Sequence, residues 1–226
     1  FERIAYVKHL AQIKYLGFLT NAQWLHKVGI DKLLDSGIDW LSISMSFAGR
    51  EEFRECVGVD RYEQTLENII TLIEKNNMRG RKVEIGFSVK PARSGTVRII
   101  KNPDFKRVNS VMDNALYNEV VRQGFCVDDW QGKVELPDFL KKRPILPRFF
   151  HPCKLLYDSL IVFSDGTIGV CPCRDFEAES ALILGHIKDM SIPQAWGGEK
   201  IKIMRDDWRK KNKIPAICKV CSHYIY

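Results

Sequence analysis

The sequence predicts an α/β protein in two parts. Parallel β/α units occupy residues 1–135, and a small cysteine-rich α+β domain with a β-hairpin occupies 136–226. Three observations lead there. Short β-branched or apolar runs alternate with amphipathic helical stretches through the first part. Composition changes between Gln131 and His151, where Pro137, Pro144 and Pro147 surround the basic run Lys141-Lys142-Arg143. Beyond that break lie five of the seven cysteines, Cys153, Cys171, Cys173, Cys218 and Cys221.

Ile13 to Thr20 reads as a short buried strand. A helix from about Gln23 to Asp35 follows, with Trp24, Leu25, Val28, Leu33 and Leu34 as its apolar stripe and Ser36-Gly37 as its end. Asp39 to Ser46 alternates apolar and polar residues, the period of a strand. Arg61 to Asn77 places Tyr62, Leu66, Ile69, Ile70 and Ile73 on one helix face. Val83 to Val89 is the third strand, and Pro91 to Pro103 a basic loop. Val108, Val111, Met112, Ala115, Leu116 and Val120 mark a third helix, ended by Gly124, and Phe125 to Trp130 reads as a fourth strand. Alternation with short connections argues for parallel strands joined by crossovers. Four strands are too few to close an eight-stranded barrel, so the sheet is open or the barrel incomplete in this chain.

In the second part, Asp158 to Cys171 reads as a hairpin about Asp165-Gly166, the strongest short-range turn signal. Ala181 to Ile187 is a short strand or turn. Ser191-Ile-Pro193 opens a capped helix, and a further helix runs from about Glu199 to Lys210 towards Ile214-Pro215.

A composition of 45% hydrophobic and 28% charged residues over 226 positions is that of a globular chain. No run reaches the roughly 18 apolar residues of a membrane helix. The start, Phe1-Glu-Arg-Ile-Ala, has neither Met nor a signal-peptide layout and reads as a point inside a longer protein. A net charge of +7 admits anionic partners, but Lys and Arg are spread along the chain without aromatic interleaving, which argues against nucleic acid. Clustered cysteines with no secretory context point to metal binding in a reducing, cytoplasmic compartment.

Cys218-Lys-Val-Cys221 is the strongest single signal, because two intervening residues let a turn aim both sulfurs at one metal. Cys153 and Cys171 supply the other pair, provided that Pro152 to Tyr157 folds back, since the hairpin puts Cys171 opposite about Leu160. Four thiolates suit zinc and a [4Fe–4S] cluster equally. Cys173 follows Pro172 and is a spare ligand or a bystander. Cys56 and Cys126 read as plain buried residues, and His151 and His223 as neighbours of the ligands.

The spacing Cys153-x12-Gly166-x4-Cys171, then Cys218-x2-Cys221, resembles the SPASM or Twitch auxiliary-cluster domain of radical SAM enzymes. Ser164 to Cys171 is similar to its hairpin, Leu184-Gly185-His-Ile187 to its turn, Pro193 to Trp196 to its short helix, and Ile214 to Cys221 to its closing knuckle. Upstream, Leu19-Thr-Asn-Ala-Gln-Trp-Leu25 and Asp35 to Ser44 resemble segments around the third and fourth strands of the radical SAM barrel. The resemblance implies a partial (β/α) barrel of the radical SAM type, with Asn21 and Ser44 on the S-adenosylmethionine side. It implies a [4Fe–4S] auxiliary cluster on Cys153, Cys171, Cys218 and Cys221, with S-adenosylmethionine and a further [4Fe–4S] cluster in the complete protein. The implied activity is production of a 5′-deoxyadenosyl radical that modifies a peptide or small-molecule substrate, with a flavodoxin or ferredoxin as electron donor.

Departures from the family pattern go with these expectations. The Cys-x3-Cys-x2-Cys loop that holds the S-adenosylmethionine cluster is not in the sequence, so this chain by itself is expected to be inactive. Ala22 stands where the family usually has Gly, and Met45 to Gly49 alters the usual Ser-x-Asp-Gly. The seven-cysteine form of the domain has a cysteine just beyond the position of Tyr226, which leaves one or two auxiliary clusters open. Two readings from other classes compete: a zinc-stabilised binding module with a basic, nucleic-acid-contacting surface, and a structural α/β domain with buried thiols.

Overall fold

The computed structural model describes residues 2–10, 13–47, 49–89, 99–117, 126–127, 141–142, 152–171, 175, 177–211 and 213–221. The chain divides into two compact units, Phe1–Cys126 and Val127–Tyr226. The expected domain boundary at 135/136 lies outside the described residues.

The first unit is built on three parallel strands, β1 (Gly17–Thr20), β2 (Trp40–Met45) and β3 (Glu84–Val89), adjacent in chain order. Phe18 pairs with Leu41 and Thr20 with Ile43, while Ile43 pairs with Phe87 and Met45 with Val89. This register puts Leu41, Ile43, Met45, Phe87 and Val89 on one face, all buried in a single core. Trp40, Ser42 and Ser44 alternate with them on the other face and are half-buried. Among the described residues the architecture is mixed α/β with small sheets and no closed barrel.

Helices α1 (Glu2–Lys8), α2 (Leu25–Val28) and α3 (Ile30–Leu34) precede β2; α4 (Arg50–Val57) and α5 (Tyr62–Met78) lead to β3; α6 (Pro103–Val111) follows it. The single helix expected over 23–35 is two, because Gly29 takes φ +90° and breaks the ladder between them. α6 starts earlier than its apolar periodicity indicates, since Asn102 accepts the Asp104 N–H (2.7 Å) and Pro103 occupies the first turn. Asp113 and Asn114 at positive φ interrupt it, residues 115–117 are helical again, and the expected end at Gly124 lies outside the described residues. Of the expected fourth strand, Cys126–Val127 forms β4, which pairs with β5 (Lys141–Lys142) in a separate two-stranded sheet.

α5 is the central helix of this unit and packs against α3, α4 and α6. Leu66, Ile69, Ile70, Leu72 and Ile73 are all buried, and each contributes about 1.5–3 kcal/mol on leaving water. Its buried polar residues pin neighbouring loops. Asn76 donates to the Val83 carbonyl (2.8 Å) and accepts the Val83 N–H (3.1 Å), fixing the entry to β3. Asn68 donates to the carbonyls of Ala22 (2.8 Å) and Gln23 (3.2 Å), fixing the exit from β1. Burial, followed by the hydrogen bond to Asp104, pushes the Tyr62 hydroxyl well above its ordinary range, so it stays a donor.

The second unit contains α7 (Leu155–Asp158), β6 (Ile161–Val162), β7 (Thr167–Gly169), β8 (Ile183–His186), α8 (Ile192–Gly197), α9 (Glu199–Lys211) and α10 (Ala216–Lys219). β6, β7 and β8 form an antiparallel sheet in that order. Its core is Leu156, Ile168, Val170, Leu182, Leu184, Ala195, Ile201 and Trp208. Ser191 caps α8 in a reciprocal box with Gln194, as Ser-Ile-Pro-Gln foretells.

Candidate metal centre

The hairpin follows from its turn chemistry. Gly166 takes φ +98°, and Phe163 and Thr167 close the loop through an N–H to carbonyl bond of 2.8 Å. Asp165 accepts the Thr167 N–H and hydroxyl, both at 2.9 Å, and these bonds hold its carboxyl below its ordinary pKa. His186 on β8 bonds the Asp165 carbonyl through Nε2 (2.9 Å), tying the turn to the third strand. The β6–β7 register, Ile161 with Gly169 and Val162 with Ile168, extends to place Ser159 opposite Cys171, one residue from the expected Leu160. Ser159 Oγ donates to the Val170 carbonyl at 3.3 Å.

Cys153 immediately precedes a single helical turn. Its carbonyl accepts the Leu156 N–H (3.0 Å), and Lys154 accepts those of Tyr157 (2.8 Å) and Asp158 (3.1 Å), making the one-turn helix α7. Cys218 lies within α10 after Pro215, whose carbonyl accepts the Cys218 N–H (2.9 Å); Cys221 then donates to the Cys218 carbonyl (3.3 Å). Cys-x-x-Cys thus occupies a one-turn helix and the turn that follows it. Cys153, Cys171, Cys218 and Cys221 are all half-buried, and no disulfide joins them. Cys153, Cys171 and Cys218 pack against one core, beside Leu160, Ile214 and Ile217.

Three of the four predicted sulfur donors thus share one small core, but among the described residues no group of three or more His, Cys, Asp or Glu side chains stands in ligating array. Four thiolates repel one another, and the bound metal supplies the attraction that draws them together. The donor set fits a four-thiolate centre in number and softness. A second feature also fits a missing charged group: Nη2 of Arg205 is buried with no hydrogen-bond partner. Arg205 escaped the sequence reading, although Ile201, Arg205 and Trp208 share the i, i+4, i+7 stripe of α9, where an arginine is out of place. Cys173, His151 and His223 lie outside the described residues, as do the side chains of Cys56 and Cys126.

Asn21 and Ser44 lie in the first unit, at the C-terminal ends of adjacent parallel strands. Asn21 is exposed just past β1, and its Oδ1 accepts the Gln23 N–H (3.2 Å). Ser44 is half-buried one residue before the end of β2, paired in register with Ser88. Strand ends of this kind are where α/β sheets carry their ligands. Beyond them, Ala22 takes φ +59°, and buried Asn68 bonds the carbonyls of Ala22 and Gln23 and meets His26 Nδ1 at 3.1 Å. Trp24 is flanked by Arg61 (3.7 Å from the ring centroid) and Lys27 (4.3 Å). Sequence periodicity did not single out this grouping, which depends on contacts between residues far apart in the chain.

The family model for SPASM, an iron-sulfur cluster-binding domain, matches residues 153–222. A SPASM domain is present. It begins at Cys153 and takes in Cys171, Cys218 and Cys221, and such domains are typical of radical SAM enzymes. No curated protein and no solved structure matches the chain. Among the described residues no helix is long and apolar enough to cross a membrane.

Proposed function

We propose that this chain is the iron–sulfur cluster-binding portion of a radical SAM enzyme, with one [4Fe–4S] auxiliary cluster held by Cys153, Cys171, Cys218 and Cys221. The observation that carries this reading is the SPASM match over the very segment in which three of those cysteines pack on one core. In the complete protein, S-adenosylmethionine and its own [4Fe–4S] cluster supply the radical that modifies a peptide or small-molecule substrate, and the auxiliary cluster supplies one-electron chemistry.

The residues of this chain hold and orient. The hairpin and α7 would present Cys171 and Cys153, and α10 with the turn after it would present Cys218 and Cys221. The core of Ile168, Leu184 and Trp208 limits water at their back, which makes each thiolate–metal contact count for more. In the first unit, Asn21 and Ser44 offer an amide and a hydroxyl at the strand ends, suited to the polar groups of S-adenosylmethionine. A flavodoxin or ferredoxin is the fitting electron donor, and the cytoplasm the fitting compartment for clustered thiols.

Anaerobic reconstitution of wild type and Cys218→Ala tests the ligand set. Wild type is expected to take up about four irons per cluster and to turn brown, with an EPR signal on reduction. Cys218→Ala is expected to lose most of that iron. A Cys218→Ala protein with wild-type iron and spectrum sinks the assignment, and one zinc per chain with no chromophore favours a zinc-stabilised module instead.

A further inference from the structure

A side chain outside the cysteine set is tied to the turn that presents Cys153. Arg205, on α9, donates from Nε to the Leu156 carbonyl at 2.8 Å. Leu156 is three residues beyond Cys153, and its own N–H bonds the Cys153 carbonyl at 3.0 Å. The guanidinium is therefore joined to the Cys153 backbone through two consecutive hydrogen bonds, about one helical turn away. It lies over Trp196 of α8, 4.4 Å from the ring centroid, and near Tyr157 of α7 at 5.2 Å. Leu156 itself is 3% exposed and belongs to the same core as Trp208, one turn of α9 further on.

These contacts fix the position of the guanidinium. Its planar face suits two rings, and its fork suits a carbonyl, a combination that lysine does not reproduce. Among the described residues no carboxylate pairs with it, and the Nη2 nitrogen is buried with its donor capacity unmet. An unneutralised cation in partly dry surroundings exerts its field on whatever negative charge forms nearby. Four thiolates around a cluster are such a charge.

We propose that Arg205 is a positioning residue for the cysteine centre. It clamps α7 so that Cys153 is presented to the metal, and its positive charge favours the reduced, more negatively charged form of the bound cluster. The proposal rests on the reading of Cys153, Cys171, Cys218 and Cys221 as cluster ligands. It adds to that reading a residue outside the cysteine spacing, joining α7, α8 and α9 at one point.

The test compares the full chain, anaerobically reconstituted, as wild type, Arg205→Met and Arg205→Lys. Iron release to a chelator, the EPR spectrum and the midpoint potential are measured, with circular dichroism to check folding. Arg205→Met is expected to release iron about tenfold faster, the effect of losing an outer support of a metal ligand, and to shift the potential to a more negative value. Arg205→Lys keeps the charge and loses the stacked plane, so its potential stays near wild type while iron release is intermediate. If Arg205→Met does not fold, Arg205→Lys carries the test: faster release at an unchanged potential supports the clamp, and release equal to wild type overturns it. A folded Arg205→Met with wild-type release and potential overturns the proposal while leaving the ligand set standing. A wild-type protein that takes up no cluster overturns the ligand set and the proposal together.

Discussion

Substituting Gly166 by alanine probes the hairpin where the structure makes its tightest demand. Gly166 takes φ +98°, and a Cβ there would lie 2.8 Å from His186 Nε2, 2.9 Å from its Cε1 and 3.0 Å from Ile187 Cγ1. Forcing an L-residue into positive φ costs roughly 1–2 kcal/mol. Displacing the imidazole loses its bond to the Asp165 carbonyl, roughly 0.5–1.5 kcal/mol. Against this, alanine reduces the freedom of the unfolded chain and returns about 0.4–1 kcal/mol. The strain and the lost bond win, for a net destabilisation of about 2 kcal/mol. In a small domain this lowers the melting midpoint by about 8–16 °C. Urea and thermal unfolding of metal-free protein measure it, with Trp196 and Trp208 fluorescence reporting the second unit. The same substitution in a His186→Ala background meets no ring, so the two changes should couple by at least about 0.5 kcal/mol. A Gly166→Ala protein within about 0.5 kcal/mol of wild type would refute the turn geometry, and additivity with His186→Ala would refute the contact.

Two further outcomes follow from named contacts. Asp165 has its folded pKa held below the ordinary value of 3.8 by the Thr167 bonds, so its contribution to the hairpin is complete above that value. It is lost as pH falls through the folded pKa; an acid titration should show this limb in wild type and not in Asp165→Asn, and identical acid profiles would remove Asp165 from the account. Asn68→Ala leaves the Ala22 and Gln23 carbonyls without their buried donor and should destabilise the first unit by about 1–3 kcal/mol; urea midpoints indistinguishable from wild type would contradict that role.

What the sequence discloses depends on how local the cause is. The hairpin was legible because Asp165-Gly166 and the flanking β-branched residues act within a few positions, and α8 because Ser191 and Gln194 close their own capping box. α5 was legible because seventeen residues of regular periodicity outweigh local ambiguity. The helix over 23–35 was misread as continuous because an apolar stripe persists across Gly29, while the break is a backbone event at one residue. α4 carries little apolar signal beyond Phe53, and its bounds come from Gly49 and Gly58, both at positive φ. At the site, the four cysteines could be named from spacing, but the support for them could not. Arg205 meets Leu156 across forty-nine positions, and Asn68 meets Ala22 across forty-six.

Those two distant contacts share one physical form. In each unit a polar side chain on a long helix reaches a backbone carbonyl in the segment that carries the candidate site. Asn68 on α5 bonds the carbonyls just beyond Asn21, and Arg205 on α9 bonds the carbonyl one turn beyond Cys153. A carbonyl at the end of a strand or a one-turn helix keeps acceptor capacity that regular ladder bonds do not fill, and a donor from elsewhere can take it up. A donor from a helix already fixed by its apolar face adds rigidity to the short segment, beyond what its own buried residues, Ala22 and Leu156, contribute. It also separates two kinds of damage. Removing an apolar residue such as Ile168 weakens a whole unit, whereas removing Asn68 or Arg205 acts first on the segment it holds.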